Sequence, residues 1–170
     1  MIPARVRWAV DRLDVQPSDE ILEIGCGPGV AVSLVCDRLD GGSVTAIDRS
    51  ATAIARATVR NAEHVASGRA VLRHTDLAAF SLPGKRFDKV FAVNVNLFWV
   101  PSAVTALALI AAHLRSRGSL FLFYETPDGG RAGQIADRVA AALRENGFAP
   151  VAIDHASTKL VCIRARARHD

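Results

Sequence analysis

Cysteine is scarce in this sequence, and the three cysteines present do not form the pattern of a metal site or a disulfide framework. Cys26, Cys36 and Cys162 are odd in number, so they cannot all pair within one chain. Their spacing matches neither a zinc site nor a Cys-x-x-Cys redox motif. We therefore expect reduced thiols at small buried positions and no bound metal.

Long apolar runs are also missing, although 50% of the residues are hydrophobic. The longest uninterrupted apolar stretch covers residues 106–112, far short of the ~20 residues that a membrane-spanning helix needs. The first residues include Arg5, Arg7, Asp11 and Arg12, without the apolar run of a signal peptide. These absences predict a cytoplasmic protein that does not associate with membranes.

The excess of basic over acidic residues is small, with a net charge of +4. Part of it lies near the end of the chain, where Arg164, Arg166 and Arg168 alternate with other residues. This alternation is typical of a strand with one solvated face, and a weak site for acidic or nucleic-acid partners is the alternative. No aromatic residues interleave with these arginines, so we do not expect a nucleic-acid partner.

Short apolar runs alternate along the chain with amphipathic helical stretches, and no linker or repeat divides them. We expect a single domain, residues 1–170, in which residues 1–19 form a helical extension. The predicted strands cover residues 20–24, 44–47, 70–73, 87–93, 119–124, 151–153 and 160–163. The predicted helices cover residues 3–13 and 30–39, a stretch from the N-cap Ser50 to Ser67-Gly68, a stretch from Pro101 to Gly118, and a stretch that ends at Asn146-Gly147.

Strands that alternate with helices predict an α/β fold. We expect a doubly wound, mostly parallel seven-stranded sheet with helices on both faces. The last two strands are too close in sequence for a crossover, so they must form an antiparallel hairpin. The helix after Pro101 is expected to pack on this sheet through Val104, Leu107, Ala108, Ala111 and Leu114.

The most informative stretch, Glu-Ile-Gly-Cys-Gly-Pro-Gly at residues 23–29, lies between a predicted strand and a predicted helix. The glycines allow the backbone to turn sharply and to approach a ligand closely. The N-terminus of the helix offers free N–H groups to a carboxylate or a phosphate. This position makes the motif much more specific than a Gly-x-Gly pattern alone.

Two acidic residues follow the next two predicted strands. Asp48 ends the second strand, where an acid can accept hydrogen bonds from both hydroxyls of an adenosine ribose. Asp76 and Leu77 follow the third strand, where a carboxylate and a backbone N–H can meet the edge of an adenine. Each acid alone is typical of a helix cap or a turn. At the carboxyl ends of successive strands, together with the glycines, they indicate a ligand site.

From residue 21 to 163, this arrangement resembles the family of S-adenosylmethionine-dependent methyltransferases with a seven-stranded sheet. The motifs that carry the resemblance are residues 23–29, Ile47-Asp48, Thr75-Asp76-Leu77 and the strand at residues 87–93. The resemblance implies S-adenosyl-L-methionine as cofactor and S-adenosyl-L-homocysteine as product, with Glu23 near the cofactor's ammonium and the glycine loop around its methionine part. The cofactor-binding residues implied are Glu23, Gly25, Cys26, Gly27, Gly29, Asp48, Arg49, Asp76, Leu77 and Asn94.

Two other functions remain open at this stage. A dinucleotide-binding oxidoreductase needs a third glycine or alanine where Val30 stands, and Pro28 is unusual in its fingerprint. A protein that keeps the fold for cofactor binding or partner activation, without catalysis, is the other alternative, because no residue is unmistakably catalytic.

The candidate catalytic residues are Asn94, Asn96 and Glu125, which follow the fourth and fifth strands. The two asparagines can orient a substrate hydroxyl or carbonyl, or simply cap the turn. Glu125, beside Tyr124, is the best-placed base, or a solvated residue at a strand end. Members of the family that methylate amide or exocyclic nitrogens carry Asn/Asp-Pro-Pro-aromatic here; this chain does not, so we expect a small-molecule O, N or C nucleophile as acceptor.

Several features bear on how the site is closed. Phe98 and Trp99 can form an aromatic wall of the site or belong to the core. The segment 127–131, rich in glycine, can act as a small lid or merely connect two elements. Because no long insertion is available to cover the site, either a second subunit covers it or the acceptor is a macromolecule that excludes water by its own bulk. We expect a homodimer, with Trp8 as a contact for the partner subunit or the substrate mouth.

Overall fold

The computed structural model describes residues 1–96 and 103–168, which form a seven-stranded sheet covered by helices on both faces. The strands are β1 (Glu20–Ile24), β2 (Ser43–Asp48), β3 (Ala70–His74), β4 (Phe87–Val93), β5 (Leu114–Glu125), β6 (Phe148–His155) and β7 (Leu160–Ala167). The helices are α1 (Ala4–Leu13), α2 (Val30–Cys36), α3 (Ala51–Arg60), α4 (Ala62–Ala66), α5 (Ala103–His113) and α6 (Gly129–Glu145). The predicted fold class is confirmed.

The strand order is β3-β2-β1-β4-β5-β7-β6. Strands β1 to β5 pair in parallel, and β7 pairs antiparallel with both β5 and β6. The closing hairpin is therefore as predicted. The order reverses at β1, which has β2 on one side and β4 on the other, and doubly wound sheets bind ligands at such a reversal, beyond the carboxyl ends of the strands.

The core consists of two apolar layers, one on each face of the sheet. Helices α1, α2 and α3 pack on one face and α5 and α6 on the other. Neighbouring residues of a strand contribute to opposite layers: Ile21 faces α1 and α2, whereas Leu22 lies in the layer with α5 and α6. A strand that is covered on both faces has a largely apolar sequence, which explains why β1 and β4 have the predicted bounds.

The helix predicted to begin after Ser50 does so, because the Ser50 hydroxyl accepts a hydrogen bond from the Ala53 backbone N–H at 3.2 Å. Its predicted extent is wrong. Instead of one helix up to Ser67-Gly68, the chain forms α3 and α4, with a break at Asn61.

The predicted packing face of α5 is only partly correct: Leu107 is buried as predicted, and Ala111 packs against the core. Val104 is 59% exposed and Ala108 is exposed, whereas the buried positions are Ala103, Ala106, Leu107 and Ile110. Apolar residues occur all around this helix, so their spacing does not single out the buried face.

Strand β5 begins before the predicted residue 119. The helix ends at His113 rather than at Gly118, and Leu114 already pairs with Phe87 of β4. The segment 127–131 was predicted to be a small lid or a connection, and in the structure Gly129, Gly130 and Arg131 form the first turn of α6.

Within residues 1–96 and 103–168, no helix is long and apolar enough to cross a membrane. The same residues contain no group of three or more His, Cys, Asp or Glu side chains arranged to hold a metal ion. All three cysteines are free and buried, which confirms the expected reduced thiols.

Candidate active site

The glycine loop lies at the carboxyl edge of the sheet, between β1 and α2. The backbone N–H groups of Gly25 and Cys26 both donate to the carbonyl of Ile47, at 2.8 and 3.1 Å. These bonds join the loop to the end of β2. The loop is therefore placed beside Asp48, the next residue of β2.

The three glycines of the loop differ in what surrounds them. All have positive φ, at +71° for Gly25, +54° for Gly27 and +78° for Gly29. A Cβ on Gly25 would lie 2.8 Å from Val95 Cγ2, and one on Gly29 would lie 2.8 Å from the Cβ of Ala57. A Cβ on Gly27 would have no atom within 4 Å. Gly25 and Gly29 thus allow close packing of the protein, whereas Gly27 leaves a space that a ligand can enter.

Asp48 holds the backbone on both sides of this space. Its Oδ2 accepts a hydrogen bond from the Gly27 N–H at 2.8 Å, and its Oδ1 accepts one from the Ser50 N–H at 2.8 Å. Each carboxylate oxygen has a second lone pair, so both can still accept a hydrogen bond from a ligand hydroxyl. The structure thus brings together two features that lie far apart in sequence.

Glu23 is buried beneath the loop, with only 3% of its surface exposed. Its Oε2 has no hydrogen-bond partner among the described residues. Burial, with the nearby charge of Asp48 as a second cause, raises the pKa of Glu23 to about 8. An unpaired carboxyl group in this environment is stabilised by a cationic group placed next to it. Glu23 and the space at Gly27 therefore fit the amino-acid end of the cofactor that the sequence implies.

Cys26 lies in the loop, but its thiol is not reactive in this environment. Burial raises the pKa of Cys26 far above its ordinary value, and the charges of Glu23 and Asp48 raise it further. The thiolate, rather than the thiol, is the nucleophilic form of cysteine. Cys26 therefore contributes backbone and shape to the loop.

The residues predicted to contact adenine lie beside Asp48, because the Thr75 N–H donates to the Asp48 carbonyl at 3.1 Å. Asp76 Oδ1 accepts a hydrogen bond from the Ala79 N–H at 2.7 Å, so this acid also stabilises a turn. Leu77 is buried. The carbonyl of the exposed Arg49 accepts a hydrogen bond from His74 Nε2 at 3.1 Å.

Asn94 connects the ends of β4 and β5. It adopts a left-handed conformation with φ of 55°, its N–H donates to the Phe123 carbonyl at 2.8 Å, and its Oδ1 accepts from the Glu125 N–H at 2.8 Å. The Tyr124 hydroxyl is 3.3 Å from the Val95 carbonyl and donates to it. The predicted turn-capping role of Asn94 is therefore present. Asn96 is exposed, and the predicted Phe98 and Trp99 lie outside the described residues.

Glu125 forms an ion pair with Arg5 of α1. The Arg5 Nη1 atom lies 3.1 Å from Glu125 Oε2, and both side chains are about 38% exposed. Sequence reasoning missed this pair, since 120 residues separate its members. Trp8, from the same helix, packs edge-on against Phe123, with ring centroids 5.7 Å apart.

Asn61 is a second residue that sequence reasoning missed. Its buried Nδ2 donates to the carbonyls of Gly29 and Ala57, both at 3.0 Å, and its Oδ1 accepts from the Ser33 hydroxyl at 2.7 Å. These bonds stabilise the junction of the glycine loop, α2 and α3. The available signal was an asparagine inside a predicted helix, where this residue is unfavourable.

A family model described as a methyltransferase domain matches residues 21–118. The chain belongs to the methyltransferase-domain family. The matched region contains β1 to β4, the glycine loop, Asp48 and Asp76, which are the elements that build the site.

Curated relatives include two enzymes named trans-aconitate 2-methyltransferase. The one from Delftia acidovorans is 28% identical over 118 residues, which are 69% of this chain and 41% of the relative. The one from Azoarcus sp. is 31% identical over 121 residues, 68% of this chain and 44% of the relative. The chain thus spans less than half the length of these relatives.

Among solved structures, the fold is similar to that of the glycopeptide N-methyltransferase MtfA complexed with S-adenosyl-L-methionine. The TM-score is 0.77, with 19% sequence identity, and the match covers 99% of this chain and 94% of MtfA. At this identity the likeness shows a shared fold.

Proposed function

We propose that this protein is an S-adenosylmethionine-dependent methyltransferase that acts on a small-molecule O, N or C nucleophile. One observation carries the proposal: the buried carboxyl group of Glu23, whose Oε2 has no hydrogen-bond partner among the described residues, lies beneath the glycine loop. The Gly27 N–H of this loop donates to Asp48. The Glu23 carboxylate can pair with the ammonium group of the cofactor, and the Asp48 carboxylate can accept hydrogen bonds from its ribose hydroxyls. Membership of the methyltransferase-domain family supports the same function.

The cofactor supplies a methyl group on a sulfonium centre, which is reactive towards nucleophiles. In this proposal, Glu23 pairs with the cofactor's ammonium and Asp48 accepts hydrogen bonds from its ribose hydroxyls. Asp76 and the backbone of Leu77 contact the adenine. The residues that complete the surface around the cofactor are Gly25, Cys26, Gly27, Gly29, Arg49 and Asn94.

The remaining site residues position the acceptor rather than activate it. Methyl transfer from a sulfonium requires mainly that the nucleophile is held in line and that water is excluded. Asn94 and Tyr124 fix the ends of β4 and β5 against each other, so the acceptor meets a rigid edge. Glu125 and Asn96 lie at that edge, where they contact the acceptor or its neighbours.

We further propose that the acceptor carries a carboxylate. Arg5, Arg131 and Lys159 all lie around the carboxyl end of β5, and Arg5 is held there by Glu125. A guanidinium group binds a carboxylate through two parallel hydrogen bonds. The relatives named for trans-aconitate, itself a carboxylic acid, support an acidic acceptor.

The assembly and location of the protein are part of the proposal. We propose that residues 1–170 act as one domain in a cytoplasmic homodimer, in which a second subunit covers the acceptor site. Three free, buried cysteines support a reducing compartment. Light scattering at micromolar concentration tests the dimer, and a monomer that still methylates a small metabolite would contradict subunit completion.

The experiment that tests the function has two steps. Calorimetric titration is expected to show binding of S-adenosylmethionine and S-adenosylhomocysteine, with no comparable affinity for NAD or NADP. Incubation of cofactor carrying a deuterated methyl group with a metabolite mixture is then expected to give a labelled product by mass spectrometry. Binding of NAD alone would overturn the proposal, and cofactor binding without any labelled product would favour a non-catalytic protein of this fold.

A further inference from the structure

A second concave surface lies at the opposite edge of the sheet from the glycine loop. It encloses about 550 Å³ between the first half of β5, the last residues of β7 and the end of α1. Its charged lining residues are Arg12, Asp14, Asp19, Asp88, Lys89, Arg115, Arg117, Arg164 and Arg166. Six of these are cationic and three are acidic, so the surface, named here the β5–β7 groove, has an excess of positive charge.

Two of the three acids of the groove already hold a cation. The ion pairs within the groove are Lys89–Asp19 at 2.5 Å and Arg115–Asp88 at 2.7 Å. Arg12 pairs with an acid outside the groove, Asp154 of β6, at 2.5 Å. Among the described residues, no carboxylate lies within 4.0 Å of the guanidinium groups of Arg117, Arg164 and Arg166. The excess positive charge therefore belongs to these three arginines.

The strand register places Arg164 and Arg166 on one face of the sheet. Arg164 lies opposite Phe121 and Arg166 lies opposite Ser119 in the antiparallel pair of β7 and β5. Two residues along a strand span about 7 Å, so the two guanidinium groups project side by side. Like charges so arranged repel each other. An anion placed between them removes this repulsion.

The chemistry of the lining favours phosphate groups. Guanidinium groups bind phosphate through paired hydrogen bonds, and one phosphate has enough oxygens to engage more than two of them. The hydroxyls of Ser116 and Ser119 add neutral donors in the same groove. We infer that the β5–β7 groove binds a small polyphosphate anion, with Arg117, Arg164 and Arg166 as its cationic contacts.

The groove is less suited to a nucleic-acid strand. Its volume is that of a site for a small ligand. Phe121, its aromatic residue, is only 5% exposed and so offers no face on which a base can stack.

Calorimetric titration of the whole chain with sodium tripolyphosphate tests the inference, at about 0.15 M salt so that long-range attraction is screened. One bound anion per chain is expected, and Arg164→Ala/Arg166→Ala should weaken binding by roughly tenfold or more, because each arginine contributes charge-assisted hydrogen bonds. The matched control is Arg138→Ala/Arg144→Ala, which removes the same charge from exposed positions of α6. This control should bind as the unmodified protein does.

Three results would overturn the inference: no binding of tripolyphosphate, equal weakening in both double variants, or tighter binding of a single-stranded RNA oligonucleotide through the same arginines. Circular dichroism establishes that each variant is folded. If the β7 variant does not fold, Arg117→Ala replaces it, because this change leaves β7 intact; unchanged binding in Arg117→Ala would then also count against the inference.

Discussion

A 2.8 Å hydrogen bond joins the backbone N–H of Gly27 to the carboxylate of Asp48. The same carboxylate accepts the N–H of Ser50, so one side chain fixes the glycine loop to the start of α3. The acid that the sequence assigns to a ribose is therefore also a structural support of the loop. Its replacement affects both properties, and the two can be measured separately.

Asp48→Ala is expected to weaken the binding of S-adenosylhomocysteine by about 1.5–3 kcal/mol, the usual cost of losing hydrogen bonds to a charged group. It should also lower the melting temperature, because two backbone N–H groups lose their acceptor. Asp137→Ala, at an exposed position of α6, is the control. Calorimetry and thermal unfolding give the two readouts, and normal affinity in Asp48→Ala would show that this residue does not bind the cofactor.

Glu23→Gln tests the buried carboxyl group through the pH dependence of stability. The pKa of Glu23 is raised from its ordinary value of 4.5 to about 8 in the folded protein. Between these values the folded state binds more protons than the unfolded state, so the ionisation of Glu23 makes the free energy of unfolding fall as pH rises. Urea unfolding without ligand should therefore show Glu23→Gln gaining stability relative to the unmodified protein from pH 4.5 to 8, with a constant difference above. A difference that does not change with pH would contradict the buried ionisation.

The same residue predicts a proton release on binding. At pH 7 the carboxyl group of Glu23 is mostly protonated, and a cationic ligand group beside it lowers its pKa. Binding of S-adenosylhomocysteine should then release a proton, and the apparent binding enthalpy should depend on the ionisation enthalpy of the buffer. Glu23→Gln should lose this dependence. Identical buffer dependence in both proteins would show that the ammonium does not pair with Glu23.

Gly27→Ala and Gly29→Ala should affect the protein differently. Both impose a positive φ on alanine, which costs about 1–2 kcal/mol, but only the Cβ on Gly29 meets Ala57 and Asn61. Gly29→Ala should therefore destabilise the fold more, by about 1–3 kcal/mol from overpacking. Gly27→Ala should fold and lose cofactor affinity. Gly133→Ala, inside α6, is a neutral or stabilising control; Gly27→Ala with normal affinity would show that no ligand enters this space.

Arg5→Gln distinguishes a role in acceptor binding from one in stability. The ion pair with Glu125 is exposed, so its loss should change the free energy of unfolding by about 0–1 kcal/mol. If the acceptor is an acid, its KM should rise roughly tenfold with unchanged affinity for S-adenosylhomocysteine, because one charge-assisted contact is lost. Glu125→Gln, which frees Arg5, should not raise this KM. A large fall in kcat for Glu125→Gln would instead identify Glu125 as a base.

Most strands and the glycine loop could be predicted from sequence, because local patterns determine them. The second half of β4, residues 90–93, is apolar on both faces, and the glycine loop needs glycine for its own backbone conformation. The errors involve long-range contacts. Leu114 belongs to β5 because it pairs with Phe87, and Val104 is exposed because other apolar residues of α5 face the sheet. No local pattern contains either contact.

The same reason explains why the acceptor side was harder to predict. Glu125 is a candidate base by its position at a strand end, but its ion-pair partner, Arg5, is distant in sequence. Asn94 was recognised as either a cap or a ligand, and only the approach of β5 shows the capping bonds. Side chains that act through tertiary partners are therefore poorly predicted, even where the fold itself is clear.

The direction of β7 determines the edge of the sheet at which its arginines lie. A parallel strand in this position would bring Arg164 and Arg166 to the carboxyl edge, where they would compete for the carboxylate of Glu125 on the neighbouring strand. Because β7 is reversed, six residues of β5, about 20 Å, separate Ser119 opposite Arg166 from Glu125. That distance exceeds the ~8 Å over which exposed charges interact at physiological ionic strength. Substitutions at one edge can therefore accumulate during evolution without perturbing the electrostatics of the other.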